Sequence, residues 1–221
     1  MLINQYIDHT LLRPTATYRD IEKLCKEALE YRFFSVCLNS CHVLRAKELL
    51  MEAPDIRVCS VVGFPLGAMS SKAKCYEAEH AVVDGADEID MVINLGWLKS
   101  GDTGKVLQDI HAIKKAIGTR VLKVIIETCY LHDDEKILAS TLAADAGADY
   151  VKTSTGFGNG GATFHDIELM SRAVNGRARL KASGGIKSFE VAKKYIDLGV
   201  TRIGTSSGIA IVEGYTSNES Y

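Results

Sequence analysis

The chain lacks nearly everything that marks a secreted, membrane-bound or nucleic-acid-binding protein. Its 221 residues carry a formal net charge of −2, with no long block of like charges, so nucleic acid is not an expected partner. No apolar run approaches the ~20 residues that span a bilayer. The start around Asn4-Gln5-Tyr6 has no apolar signal segment. A cytoplasmic protein without a membrane partner is expected. Prolines number only three and no Ser/Gly-rich linker divides the chain, so residues 1–221 are expected to form one domain. Its last stretch, about 214–221, is polar and expected to be mobile. The six cysteines contain no Cys-x-x-Cys pair, and Cys37 and Cys41 have no second pair to complete a zinc site. The six histidines show no ligand spacing either. No metal is expected, and the cysteines read as reduced, small apolar residues.

What remains is an apolar-rich chain, 47% hydrophobic and 24% charged, able to bury a sizeable core. Short β-branched runs recur at Tyr6–Leu12, Ser35–Asn39, Arg57–Gly63, Glu88–Asn94, Val121–Glu127, Tyr150–Ser154, Arg179–Ala182 and Thr201–Gly204. Amphipathic stretches separate them; Ile21, Leu24, Cys25, Ala28 and Leu29 keep helical spacing. Thr17-x-x-Asp20 and Thr163-x-x-Asp166 are helix-start signatures. Gly85-Ala86-Asp87, Gly147-Ala148-Asp149 and Gly199-Val200-Thr201 each close a helix and enter a strand. Eight strands alternating with helices at this length predict an α/β fold, a single (β/α)8 TIM barrel. The rival is a doubly wound open sheet, which normally carries a dinucleotide fingerprint in its first βα turn.

Two lysines stand out. Lys152 and Lys181 each end a short apolar β-type run, where lysine is depleted and seldom buried without a reason. Two ammonium groups in one site repel, which lowers the pKa of at least one, and a neutral amine is what a Schiff-base enzyme needs. Alternation along the strands adds Asp90 and Lys123 as inward neighbours; Glu88 would share Asp90's face and Glu127 that of Lys123. The alternative is an ion network that only holds the barrel together.

Glycine punctuates the segments after the later strands. Gly156-Phe157-Gly158-Asn159-Gly160-Gly161 satisfies G-x-G-x-x-G but follows the sixth strand, with Lys181 where an acid would be needed, so a dinucleotide is not expected. Ser183-Gly184-Gly185 and Gly204-Thr205-Ser206-Ser207-Gly208 follow strands seven and eight, where barrels commonly bind phosphate. Gly156, Gly184, Gly185, Gly204, Ser206 and Ser207 are therefore phosphate-binding candidates, against the alternative of ordinary tight turns.

Taken together, Ile7-Asp8-His9-Thr10-Leu11-Leu12, Ser35-Val36-Cys37, Val61-Val62-Gly63-Phe64-Pro65-Leu66-Gly67, Ala86-Asp87-Glu88-Ile89-Asp90, Lys123-Val124-Ile125-Ile126-Glu127, Val151-Lys152-Thr153-Ser154-Thr155-Gly156 and Lys181-Ala182-Ser183-Gly184-Gly185-Ile186 closely resemble the deoxyribose-phosphate aldolase family. The match runs nearly the whole chain. The resemblance implies reversible cleavage of 2-deoxy-D-ribose 5-phosphate to acetaldehyde and D-glyceraldehyde 3-phosphate in deoxynucleoside breakdown, without metal or cofactor. It implies that Lys152 forms the Schiff base, that Lys181 holds Lys152 partly neutral, and that Asp90 moves protons with an ordered water. Asp8, Thr10, Cys37 and Lys123 would be supporting residues. Two departures fall near strand two: Ser40-Cys41 where the family often has proline after Asn39, and Arg32 in place of a glycine.

Two other readings stay open, a phosphate-binding isomerase or synthase barrel and a non-enzymatic sugar-phosphate binder. A homodimer is one expected assembly. Tyr221, at the end of the polar tail, is a candidate to fold over the barrel mouth and relay a proton. Deleting Tyr221 is expected to slow deuterium exchange into enzyme-bound acetaldehyde without affecting borohydride trapping. Equal exchange in both chains would make the tail a frayed end.

Overall fold

The computed structural model describes residues 2–217. Its strands are β1 (Ile7–Leu11), β2 (Ser35–Leu38), β3 (Arg57–Val62), β4 (Glu88–Val92), β5 (Val121–Ile125), β6 (Tyr150–Lys152), β7 (Arg179–Ser183) and β8 (Arg202–Thr205). Each pairs in parallel with the next, and β8 closes onto β1 through Asp8 opposite Gly204. An open sheet is excluded, because β1 is bonded along both edges. The helices are α1 (Tyr18–Tyr31), α2 (Val43–Leu49), α3 (Ser71–Val83), α4 (Leu95–Lys99), α5 (Thr103–Ile117), α6 (Asp133–Asp145), α7 (Phe164–Val174), α8 (Phe189–Asp197) and α9 (Gly208–Glu213). The expected (β/α)8 barrel is found.

Local chemistry explains where the helices begin and end. Thr17 and Asp20 form a reciprocal capping box on α1, as Thr163 and Asp166 do on α7. Helix α1 buries Ile21, Leu24, Cys25 and Ala28, the stripe that helical spacing predicts. It ends at Arg32 with φ +51°, a left-handed position that glycine would occupy without strain. The departure from the family pattern thus falls at a position whose backbone favours glycine. The Ser40 departure has a partner of its own, donating to Glu77 Oε1 at 3.0 Å.

Alternation along the strands sorts side chains into two environments. Val36, Leu38, Val58, Ile89, Met91, Leu122, Val124, Val151, Leu180, Ala182 and Ile203 face outward and join the helices in the main apolar core. Leu12, Cys37, Cys59 and Val61, with Phe64 against them, form a much smaller apolar cluster apart from it. Beside Val92 and Ile125, most of the remaining inward side chains are charged or polar. Stability therefore rests on the sheet–helix layer, which leaves the interior free to be polar.

That outer layer contains one buried ion pair. Lys74 on α3 reaches Asp109 on α5 at 2.7 Å and donates to the Val92 carbonyl at 2.9 Å, tying two helices to the end of β4. Both side chains are essentially inaccessible. Burial pulls the Lys74 amine below the ordinary lysine range, against the pull of Asp109. Removing only one partner strands a buried charge. Asp109→Ala is therefore expected to cost about 3–5 kcal/mol, and the double change Lys74→Met with Asp109→Leu clearly less. Urea denaturation of the three chains measures this; equal losses would show that the pair is not coupled.

Candidate active site

Three strands bring cations to one carboxylate. Asp90 on β4 lies in register with Lys123 on β5, and Lys152 on β6 with Lys181 on β7. All four side chains point into the barrel and are buried. Lys123 Nζ donates to Asp90 Oδ1 at 2.7 Å, and the Cys59 thiol donates to the same oxygen at 3.1 Å. Lys152 and Lys181 both donate to Oδ2, each at 2.8 Å. The two lysines singled out by sequence thus meet on a single oxygen.

A second tier lies below, toward the amino-terminal ends of the strands. Asp8 takes Lys181 at 2.5 Å and also pairs with Arg202. Glu88 takes Lys123 at 2.7 Å and the other arm of Arg202. Ser35 donates to Asp8 at 2.7 Å, and the Arg202 guanidinium lies 3.5 Å over the Phe34 ring. The network therefore joins four cations (Lys123, Lys152, Lys181, Arg202) to three carboxylates (Asp8, Glu88, Asp90). With every group ionised, one positive charge is in surplus.

Burial would push the Asp90 carboxyl up, but Lys123, Lys152 and Lys181 outweigh it and hold Asp90 well below the usual carboxylate range. Asp8 is likewise lowered, burial being overcome by Arg202 and Lys181. Burial works against the Lys181 ammonium, yet Asp8 and Asp90 raise its pKa above that of an ordinary lysine. Lys123 is raised against burial in the same way, chiefly by Asp90. Both are firmly cationic.

The rim above this network comes from loops. Glu127, just past β5, has a left-handed backbone (φ +52°). Its carboxylate accepts the Thr155 N–H at 3.1 Å and the Thr155 hydroxyl, and burial raises its pKa. The Thr155 hydroxyl oxygen accepts the Phe157 N–H at 3.0 Å, which fixes the start of the glycine loop. Phe157 meets Phe64 edge-to-face at 5.3 Å, linking the loops that follow β3 and β6. A Cβ on Gly161 would stand 2.2 Å from the Gly184 carbonyl oxygen, so the loops after β6 and β7 touch backbone to backbone.

Most residues expected at the site are gathered here. Asp8, Asp90, Lys123, Lys152 and Lys181 form the network. Cys37 lies in register with Cys59 beside it, and Thr10 bonds the Asp8 carbonyl at 2.8 Å. Gly156, Gly184 and Gly185 lie in loops after β6 and β7, and a Cβ on Gly185 would meet nothing within 4 Å. Ser206 and Ser207 follow β8, with Ser206 beside a cleft of about 160 Å³ lined also by His9, Thr10 and Leu12. Gly204 lies inside β8, where a Cβ would come within 3.0 Å of Lys181 Cε, so it makes room for that lysine.

The expected sharing of a face by Lys123 and Glu127 fails, because β5 ends at Ile125 and the chain turns left-handed at Glu127. Tyr221 lies outside the described residues. Nearer the barrel, the stretch expected to be mobile is anchored: the Tyr215 N–H donates to Ala210 O and the Ser217 N–H to Lys187 O. Sequence reasoning missed Arg202, Cys59 and the rim role of Glu127. A buried strand arginine is as anomalous as a strand lysine, so the same rule applied to Arg202 would have found it.

Comparison with known proteins follows this geometry. A family model described as "DeoC/LacD family aldolase" matches residues 2–213. A deoxyribose-phosphate aldolase of Carboxydothermus hydrogenoformans is 57% identical over 99% of this chain and 97% of its own. One from Streptococcus gordonii is 52% identical over the full length of both. The structure of a deoxyribose phosphate aldolase from Aeropyrum pernix, described as tetrameric, superposes with a TM-score of 0.86 at 33% identity, covering 96% of this chain and 89% of that one.

The depressed carboxyls of Asp8 and Asp90 set an acid limit on stability. The unfolded chain binds protons near the ordinary aspartate value, about pH 4, while the folded chain resists them. The stabilisation is therefore complete above about pH 4 and is lost as the pH falls further, at up to ~2.7 kcal/mol per pH unit for the two groups together. Thermal denaturation followed from pH 7 to pH 2.5 is expected to show a melting temperature that drops steeply only below about pH 4. A flat profile across that window would contradict the charge network.

Proposed function

Because the chain belongs to the deoxyribose-phosphate aldolase family, within the DeoC/LacD aldolases, and is an aldehyde-lyase, we propose that it reversibly cleaves 2-deoxy-D-ribose 5-phosphate to D-glyceraldehyde 3-phosphate and acetaldehyde through a Schiff base on Lys152. The observation that carries this reading is the asymmetry of the charge network. Among the described residues Lys123, Lys181 and Arg202 each contact at least two carboxylates, whereas Lys152 pairs with one, through an Asp90 oxygen that it shares with Lys181. Lys152 is thus the least paired of the four cations, and the one amine not locked between two carboxylates is the one placed to act as the nucleophile.

The free amine attacks the aldehyde carbon of the open-chain sugar. The carbinolamine loses water to give an iminium, with protons moved between Asp90 and an ordered water. A base takes the proton of the hydroxyl on the third carbon. The bond between the second and third carbons then breaks, and its electron pair enters the iminium to form an enamine. D-Glyceraldehyde 3-phosphate leaves. Protonation at the enamine carbon and hydrolysis release acetaldehyde and restore Lys152. Lys181, kept cationic by Asp8 and Asp90, supplies the fixed positive charge beside these steps. Asp90 faces two lysines with one oxygen, so a proton has a short route between them. The substrate's phosphate is read as held by the loops carrying Gly156, Gly184, Gly185, Ser206 and Ser207. The biological setting is deoxynucleoside breakdown.

Lys152→Met is expected to remove turnover and borohydride-trapped adduct together while the circular dichroism spectrum stays that of the folded chain. Cleavage retained at about a tenth of the parent rate or better, a loss of only ~1.4 kcal/mol in transition-state stabilisation, would defeat the assignment. Replacing Gly185 by leucine is expected to raise KM for the phosphorylated sugar far more than for free 2-deoxyribose. Equal effects on the two sugars would move the phosphate elsewhere.

A further inference from the structure

Cys37 and Cys59 are 22 positions apart, yet they are direct register partners on β2 and β3, and both are wholly buried inside the barrel. Their sulfurs and an Asp90 carboxylate oxygen all lie within 4.8 Å of one another. The pair carries two free thiols and no disulfide. An ion between the sulfurs suits it well: at a metal–sulfur length of ~2.3 Å, two sulfurs on one ion stand up to ~4.6 Å apart.

We propose that Cys37 and Cys59 form a binding site for a soft monovalent cation of the Cu(I) type, and that its occupation inhibits the enzyme by withdrawing the Cys59 proton from Asp90. Thiolates select soft ions. Zinc in a closed protein site wants four ligands, and here Asp90 is the one further metal-binding group grouped with the two thiols among the described residues. Charge decides between the remaining ions. The surrounding network carries one positive charge in surplus when fully ionised, and a monovalent ion on two thiolates carries one negative charge. Binding a monovalent ion releases both thiol protons to solvent and leaves an anion within a net cationic cage.

Burial, with Cys37 and Asp90 beside it, raises the Cys59 thiol well above its ordinary range, so the ion itself must displace that proton. Lys123 Nζ donates to Cys59 Sγ at 3.1 Å, a contact that strengthens once the sulfur is a thiolate. Leu12, Val61 and Phe64 pack around the two sulfurs and keep them dry. Asp90 Oδ1 would lose the Cys59 donor and face the new anion. The consequence for turnover rests on the proposed role of Asp90; the binding site itself does not.

The test uses the full chain carrying Cys41→Ala, Cys75→Ala and Cys129→Ala, since those three thiols are less buried and would also bind. Cu(I) is supplied anaerobically as its acetonitrile complex. One ion per chain is expected, with two sulfur neighbours by X-ray absorption, two protons released, and turnover lost in proportion to occupancy and regained on adding a thiol competitor. Adding Cys37→Ala, or separately Cys59→Ser, is expected to abolish the stoichiometric ion. Tight binding that survives either change, or a coordination sphere without two sulfurs, would overturn the site. Full turnover at full occupancy would overturn the inhibition. If Cys59→Ser does not fold, Cys37→Ala and the absorption spectrum of the parent still decide. None of the binding measurements involves substrate, so a failure of borohydride trapping at Lys152 would be distinguishable from a failure here.

Discussion

The Asp90 carboxylate is the constraint on which the barrel interior depends. Its two oxygens accept from Lys123, Cys59, Lys152 and Lys181, which arrive on four different strands. Each buried ammonium carries a desolvation cost of several kcal/mol that only nearby negative charge offsets. At an effective dielectric of about 20, a contact near 2.8 Å returns on the order of 6 kcal/mol, so one carboxylate can hold several amines only if others share the load. Asp8 and Glu88 supply that second tier, and Arg202 joins the two from below. The interior is thus a two-tier charge lattice with its least supported cation, Lys152, at the carboxyl-terminal end.

A charged interior has a structural consequence. Barrels of this class usually fill their centre with branched apolar side chains. Here the apolar side chains face the other way, from the strands into the helical shell. Folding free energy is drawn from that shell, and the centre is released from the need to be greasy. Gly204 shows how closely the lattice is fitted, since even a methyl group there would press on the Lys181 side chain.

The fold was legible because barrel arithmetic depends on periodicity, and the alternation of β-branched runs with capped amphipathic stretches survives at every strand. Lys152, Lys181 and Asp90 were legible because a charge in a strand violates propensity. What stayed hidden depends on register and on backbone direction. Nothing in the sequence aligns Cys37 with Cys59 until β2 and β3 are paired. Glu127 shares a face with Lys123 only if the strand runs two residues further than it does; the left-handed turn sends it to the rim instead. Gly204, the last residue of its β-type run, also reads as the start of the glycine-serine turn after it, whereas its neighbour Lys181 is the reason a strand needs glycine there.

The rim and the lattice are built by opposite means, and the contrast bears on how a site on this barrel can open. Below, strand register and ion pairs leave each charged group essentially one position. Above, the loops after β6 and β7 meet through bare backbone at Gly161 and Gly184, and those after β3 and β6 through the edge-to-face contact of Phe64 with Phe157. Hydrogen bonds add to the first contact, from the Ala162 N–H to Ser183 O at 3.1 Å and from the Ser183 hydroxyl to Ser154 O at 2.6 Å, and the aromatic pair contributes roughly 0.5–1.5 kcal/mol beyond its burial. Glu127 and Thr155 tie the glycine loop to the end of β5, so movement at the rim need not disturb Asp90. Lys152 is only 2% exposed, so strand register and ion pairs fix its electrostatics while the loops above fix the shape of the rim.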